Sequence, residues 1–216
     1  MTEIKTQMFS VTAESSYRQP VLFEESRWGE IAKAALNTFA SNGLRADQIT
    51  VRRGDEAFNY EISFSLFNRN GTFRIWPERL EVAFQNAVSA ADEEVIVDTV
   101  VKFYERLPLP EIRSTKLLVY VHANLESIEA RSKFLAAFGR AERQIVSGGV
   151  IAYVISEKWK EEFRVTIDRS FVHAAGIFLS WESQIIGSPL TREKLVMFAE
   201  ACEDVTRRFD LVFKKT

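Results

Sequence analysis

The chain is poor in the residues that most often carry chemistry. Its 216 residues include one cysteine, Cys202, and two histidines, His122 and His173. Zinc sites need three or four Cys, His or carboxylate ligands in compact groups, and the sequence has no CxxC or HxxxH spacing. A single cysteine forms no internal disulfide, which is typical of a reducing compartment. We therefore expect no metal site and a cytoplasmic location.

Motifs for nucleotide binding, covalent catalysis and membrane insertion are also missing. The sequence contains no GxxxxGK[ST] loop, no GxGxxG and no GxSxG elbow. No run approaches the roughly eighteen apolar residues of a membrane helix, and no secretory signal opens the chain. The net charge is −2, so no bulk basic excess indicates a nucleic-acid partner. We expect no catalytic residues, no cofactor and no membrane or nucleic-acid partner.

A repeated heptapeptide is the strongest positive feature. FRIWPER (residues 73–79) recurs ninety positions later as FRVTIDR (residues 163–169), and both copies read Phe-Arg-aliphatic-x-x-acid-Arg. A short strand pair precedes each copy, and a longer strand and a helix follow it. The sequence also holds 17 phenylalanines, which favour large buried sheet faces. The repeat therefore predicts one supersecondary unit used twice.

The apolar spacing supports a β-α-β-β-β-α order in each half. Residues 28–40 carry one apolar stripe of helical period, and Gly43 supplies its end. Residues 58–66 alternate between apolar and polar, which predicts a half-buried strand. Asn70-Gly71 then suits a hairpin turn with positive φ. Ser89 and Asp92 resemble a capping box before a helix that ends at a proline pair, Pro108 and Pro110.

We accordingly predict an α+β fold made by tandem duplication of a β-α-β-β-β-α unit. Antiparallel sheets would be covered by helices, with the first copy over residues 1–108 and the second over 111–216. Neither half can bury its apolar surface alone, so the two are expected to pack as one pseudo-symmetric body. The strand at residues 150–155 is apolar on both faces and is expected to be central.

The order of elements and a few short motifs resemble a known family. The motifs are NGTF (residues 70–73), LEV (residues 80–82) and the strand at residues 116–124. The family is a sporadically distributed group of bacterial tandem α+β repeat proteins of unknown activity. The resemblance implies a fold and transfers no site residues.

Arg74, Trp76 and Arg164 are the first candidates for an interaction or ligand site. Each arginine should project to the face opposite its neighbouring phenylalanine, and a guanidinium binds carboxylate or phosphate bidentately. The alternative is that each arginine pairs with a carboxylate on the next strand. Trp76 should share a face with Arg74, and both residue types are enriched at interface hot spots.

His122, His173 and Trp181 complete the candidates. A histidine on a strand is usually a satisfied structural residue, but histidine titrates near neutrality and can serve a pocket. Such a pocket would combine the two histidines with Trp181 or Tyr120. Cys202 falls in the apolar stripe of the last helix, which favours a core role over a nucleophile.

Two functions of different classes remain. The first is a non-enzymatic protein-interaction or assembly subunit, with self-association as a homodimer or a protein partner. The second is a small-molecule-binding protein or enzyme with a pocket between the two copies, lined by His122, His173, Arg164 and Glu182. The absent catalytic motifs favour the first function.

Overall fold

The protein is described from a computed structural model, which covers residues 1–21, 25–54, 60–138, 149–157, 159–187 and 189–214. Within these ranges, the α-helices are α1 (Glu25–Phe39), α2 (Ala90–Arg106), α3 (Ile128–Ala136) and α4 (Arg192–Arg207). Two short 3₁₀ helices follow α1, at Ala40–Asn42 and Ala46–Gln48. No helix in the described ranges has the length and apolar character needed to cross a membrane.

The described strands are β1 (Thr2–Tyr17), β2 (Thr50–Arg53), β3 (Tyr60–Leu66), β4 (Gly71–Ile75), β5 (Arg79–Ala87), β6 (Ile112–Asn124), β7 (Val150–Ile155), β8 (Glu162–Arg169), β9 (Gly176–Ile186) and β10 (Leu211–Phe213). Their hydrogen-bonded order is β2-β3-β4-β5-β1-β6-β9-β8-β7, and β10 pairs with β1. The β2-β3-β4-β5 and β7-β8-β9 pairings are antiparallel, while β10 runs parallel to β1.

The predicted fold class, an α+β tandem duplication with helices covering each sheet, is wrong. The described residues form a large, mostly antiparallel sheet of ten strands accompanied by four α-helices. Two features escaped the sequence pattern, namely the short strands β2 and β10 and the great length of β1 and β6. Strand β1 pairs with β5 and β6 and also with β10, so its pairing reaches into both predicted halves of the chain.

Backbone contacts divide the chain into two compact units that interleave along the sequence. Unit 1 comprises Met1–Ser10, Leu118–Ser183 and Val196–Thr216, and unit 2 comprises Val11–Leu117 and Gln184–Leu195. Strands β1 and β6 therefore supply residues to both units. The predicted halves, residues 1–108 and 111–216, stay a prediction.

Phenylalanine rings form the core of unit 2. Phe73 on β4 is fully buried and stacks on Phe64 of β3 with ring centroids 4.7 Å apart. Phe39 of α1, Phe84 of β5 and Phe103 of α2 also pack against Phe73, at 5.6, 5.8 and 5.1 Å. Such aromatic pairs add about 0.5–1.5 kcal/mol each beyond the area they bury. This cluster holds both helices of unit 2 against the same face of its strands.

The predicted helix ends of unit 2 are confirmed. The Ser89 hydroxyl accepts a hydrogen bond from the Asp92 amide, and the Asp92 carboxylate accepts one from the Ser89 amide at 2.9 Å. Hydrogen bonds to its carboxylate from the Val88 amide, and then from the hydroxyl and amide of Ser89, lower the pKa of Asp92, because they favour its charged form. Gly43 ends the first helical segment with φ 85°, a conformation that glycine adopts without steric cost.

The second heptapeptide places its phenylalanine in the core of unit 1, as the first does in unit 2. Phe163 on β8 is fully buried and stacks on Phe198 of α4 at 5.3 Å. Trp181 of β9 is buried in the same unit, 6.1 Å from the ring of Phe213 on β10. Cys202 lies on the buried side of α4, and desolvation is the main cause that raises its thiol pKa. A raised pKa suppresses the reactive thiolate, which agrees with a core role.

The expectation that β7 is a central strand is wrong. Among the described residues β7 pairs with β8 alone and ends the strand order. Ile151, Tyr153 and Ile155 are 56%, 66% and 65% exposed, whereas their neighbours on the opposite face are half-buried. An apolar run has the same pattern in a central strand and in an edge strand, because periodicity reports the two faces and not the neighbours.

The β3–β4 hairpin uses its glycine differently from the prediction. Positive φ angles occur at Phe67, Asn68 and Arg69 and not at Gly71. At Gly71 the constraint is space, since a Cβ atom there would lie 2.9 Å from the ring of Phe84. The glycine thus allows Phe84 to approach the backbone within the phenylalanine core.

Replacing Gly71 by alanine should therefore destabilise the protein, by about 1–3 kcal/mol, because overpacking forces the Phe84 ring to move. Gly29 in α1 is the matched control, since a Cβ there meets nothing within 4 Å. Gly29→Ala should stabilise the helix by up to about 1 kcal/mol. Chemical denaturation of both variants measures the difference. Equal stability of the two variants would contradict the packing role of Gly71.

Candidate functional site

Trp76 lies in a cluster of compensated charges on the outward face of unit 2. The Arg79 guanidinium stacks over the Trp76 ring, 4.7 Å from its centroid, and contacts the Glu14 carboxylate at 3.4 Å. Arg74 on β4 contacts Glu81 on β5 at 3.7 Å. We call Glu14, Arg74, Trp76, Arg79 and Glu81 the Trp76 cluster. Its two arginines and two glutamates cancel, so it presents no net charge to a phosphate.

Arg164 makes the equivalent contact in unit 1. It lies opposite Glu182 on β9, and the two side chains approach to 3.4 Å. Both candidate arginines thus make the cross-strand pairing that the sequence offered as the alternative to ligand binding. Partly exposed pairs of this kind contribute about 0.2–1 kcal/mol to the free energy of folding. Their main effect is therefore on the alignment of neighbouring strands and less on stability.

The two histidines come together in unit 1, as part of a small aromatic group. The rings of His122 on β6 and His173 in the β8–β9 loop lie 6.5 Å apart. Phe178 on β9 lies 5.3 Å from His122 and stacks on Tyr120 at 5.6 Å. All four side chains are half-buried. Trp181 is not among them, because it faces the buried side of β9.

Ser170 connects the two histidines through hydrogen bonds. Its hydroxyl oxygen accepts the amides of Val172 and His173 at 3.1 and 3.2 Å, and lies 2.9 Å from Nδ1 of His122. Because two amides already occupy that oxygen, its proton is directed to Nδ1, and His122 is the neutral acceptor. Ser170 is 2% exposed. A buried hydroxyl that accepts two amides is a turn-forming group and a poor nucleophile.

Electrostatics favour the same neutral state of His122. Desolvation lowers its pKa from the ordinary value of 6.5, and the charge of nearby His173 lowers it further. The pair could contribute two nitrogens to a ligand. Among the described residues no group of three or more His, Cys, Asp or Glu is arranged to hold a metal ion.

A polar cleft lies elsewhere in unit 2, with a volume of about 520 Å³. It is lined by α1, α2 and the start of α4, and an ion pair between Asp98 and Arg192 crosses it. Lys102, Glu105 and Arg106 also line it, so its charges are mixed. None of the sequence-predicted site residues reaches this cleft.

The exposed edge of β7 is the surface that sequence reasoning missed. Edge strands in soluble proteins are usually short or carry charges, proline or a bulge, because their free backbone groups template association. The six residues of β7 (VIAYVI) include no charge and no proline, and none has a positive φ. At the other end of the strand order, β2 has four residues, of which Arg52 and Arg53 are charged. Only the β2 edge carries the usual protection.

The sequence signal for this surface is the lack of charge over residues 150–155. The same lack of charge is typical of a deeply buried strand, and the prediction of a central strand rests on that interpretation. The side chains on the exposed face of β7 continue on β8 as Glu162, Arg164 and Thr166, which lie opposite Ile155, Tyr153 and Ile151. We call Ile151, Tyr153 and Ile155, with the free backbone edge beside them, the β7 edge.

Comparisons with known proteins show no family. No protein-family model matches the chain, and no curated protein matches it. Among solved structures it is similar to a rolling circle replication initiator protein from Geobacillus stearothermophilus, at 9% identity and a TM-score of 0.30. That alignment covers 94% of this chain and 80% of the other. A TM-score this low carries no argument, and the resemblance to the bacterial tandem-repeat family stays a prediction.

The lowered pKa of His122 predicts a pH-dependent stability. The unfolded chain binds the proton near pH 6.5 whereas the folded protein resists it, so stability should fall as the pH drops below that value. His122→Gln should lose less stability than the wild type between pH 8 and pH 5, as measured by urea denaturation at both values. His173→Gln keeps the His122–Ser170 bond but removes the charge of His173, so its loss of stability should lie between those of His122→Gln and the wild type. A His122→Gln profile parallel to the wild type would contradict this role.

Proposed function

We propose that this protein is a non-enzymatic interaction or assembly subunit that associates through the β7 edge. The observation that carries the proposal is the combination of free backbone groups and three large exposed apolar side chains on one uncharged strand. Single exposed apolar side chains are ordinary on a protein surface, but a contiguous group on an edge marks an association site. Main-chain pairing supplies affinity at such an edge, and alternate side chains supply specificity.

The Trp76 cluster supports the proposal less well. Trp76 is half-buried under Arg79, and both arginines of the cluster already contact carboxylates. A partner would have to separate these pairs before using either guanidinium. Interface hot spots are usually apolar or aromatic groups that lose water at little cost. The β7 edge meets that description, since the side chains of Ile151, Tyr153 and Ile155 make no hydrogen bond or ion pair with the described part of the chain.

A charge placed on the β7 edge should abolish the association. Tyr153→Lys and Ile155→Lys should each shift the wild-type assembly to monomer in sedimentation velocity, because a charged side chain on an edge strand opposes pairing with another chain. Val51→Lys is the matched control, since Val51 lies 52% exposed on the β2 edge. It should leave the assembly unchanged.

Two results would overturn the proposal. One is a folded wild-type chain that stays monomeric at all concentrations and retains no partner protein when purified gently from its host. The other is dissociation by the double variant Arg74→Ala, Trp76→Ala while Tyr153→Lys still assembles. That second result would transfer the association to the Trp76 cluster.

Small-molecule binding is the second candidate function. The grouping of Tyr120, His122, His173 and Phe178 favours it, because stacked rings beside a neutral imidazole can hold a planar ligand. Native mass spectrometry of the purified protein would then show a discrete extra small mass. The double variant His122→Gln, His173→Gln should lose that mass, and Val51→Lys should keep it. Retention of the mass by the histidine variant would reject this site.

A further inference from the structure

The hydrogen bonds of the β7–β8 hairpin determine which backbone groups of β7 face outward. The Ser156 amide donates to the carbonyl of Glu161, and the strand register pairs Ile155 with Glu162 and Val154 with Phe163. In an antiparallel ladder, hydrogen-bonded pairs alternate along the strand. Ser156, Val154, Ala152 and Val150 therefore bond to β8. The amides and carbonyls of the residues between them point to the open edge.

The outward backbone groups and the exposed side chains thus belong to the same three residues, Ile151, Tyr153 and Ile155. A strand added at this edge would use all three as hydrogen-bonded positions and would place its own side chains beside theirs on the same face. In the described part of the chain no other strand occupies this position. Relative to the described strands, this edge is open to a strand from another molecule.

Symmetry restricts how a second copy can add its own β7. A two-fold axis along the strands would turn the second copy over and set the exposed face of one β7 beside the helix-covered face of the other. A two-fold axis perpendicular to the sheet makes the strands antiparallel and keeps the exposed faces on one side. The exposed side chains of β7 belong to its odd-numbered residues. The exposed faces of the two copies therefore coincide only in registers that place odd-numbered residues of one β7 opposite odd-numbered residues of the other.

From this geometry, and resting on the function proposed above, we infer that the partner is a second copy of this chain, with the two β7 strands antiparallel and Tyr153 opposite the second copy's Tyr153. Ile151 then lies opposite the second copy's Ile155, and all three outward residues are used. A shift of two residues in either direction leaves one outward residue of each strand unpaired. The centred register is therefore the one that satisfies the most backbone groups.

Charge explains why a second copy fits the β7 edge and not the β2 edge. A two-fold axis brings the residues at the centre of the paired strands close to their own counterparts, so a charge at that position repels itself. Pairing of two β2 strands would bring Arg52 and Arg53 of both copies together, and like charges across strands are destabilising. Strand β7 has no charge, and its neighbour Arg164 is already paired with Glu182 in its own copy.

Cysteine cross-linking tests the register. Positions 153 of the two copies would be adjacent, whereas positions 151 would be four residues of strand apart, about 13 Å. With a bis-maleimide shorter than that, Tyr153→Cys should form a cross-linked dimer and Ile151→Cys alone should not. An equal mixture of Ile151→Cys and Ile155→Cys should cross-link. Native Cys202 is buried, and Val51→Cys on the β2 edge is the exposed control.

The outcomes separate the register from the function. A dimer in sedimentation velocity that cross-links through Ile151→Cys alone, or through Val51→Cys, overturns the register and leaves assembly intact. If the wild-type protein is monomeric but binds a different protein, the inference that the partner is a second copy is wrong and the proposed interaction function stands. A monomer with no partner overturns both. If Tyr153→Cys folds as a monomer, the mixture of Ile151→Cys and Ile155→Cys decides the register.

Discussion

The burial of Phe73 is the contact on which the arrangement of unit 2 depends. Its ring touches the rings of α1, α2, β3 and β5, so one side chain holds two helices against three strands. Side chains alternate between faces, so a slip of one residue would exchange the buried and exposed sets of β4. The position of Arg74 and Trp76 on the outward face therefore follows from the burial of Phe73 and Ile75 on the other.

Phe163 has the same role in unit 1, with a different consequence. Its burial against Phe198 directs Arg164 outward, and the register of the β7–β8 pair then directs Tyr153 to the same face. Arg164 finds a carboxylate on β9, whereas Tyr153 has no strand beyond it in the described chain. Within the described chain the apolar surface thus ends at an open backbone edge, and the proposed association depends on this feature.

The arginines and Ser170 of the candidate sites are satisfied by partners within the chain. Arg74, Arg79 and Arg164 each contact a glutamate, and the Ser170 hydroxyl bridges an imidazole and two amides. Groups satisfied in this way hold strands and turns in place, and they are expensive to use for a ligand because each bond must first be broken. This balance favours an interaction protein whose free surface is apolar.

The sequence by itself determined the local structure of this protein. The period-two alternation gave the buried face of β3, the helical stripe gave α1, and the pairing of Ser89 with Asp92 gave the start of α2, because each depends on residues close together in the chain. Only the tertiary structure decided which strands are neighbours. The repeated heptapeptide could not show that β1 and β6 serve both units, and the apolar run of β7 could not show that it ends the strand order. Strand pairing joins residues far apart in sequence, and the hydrogen bonds that make it come from the backbone, which every residue type shares.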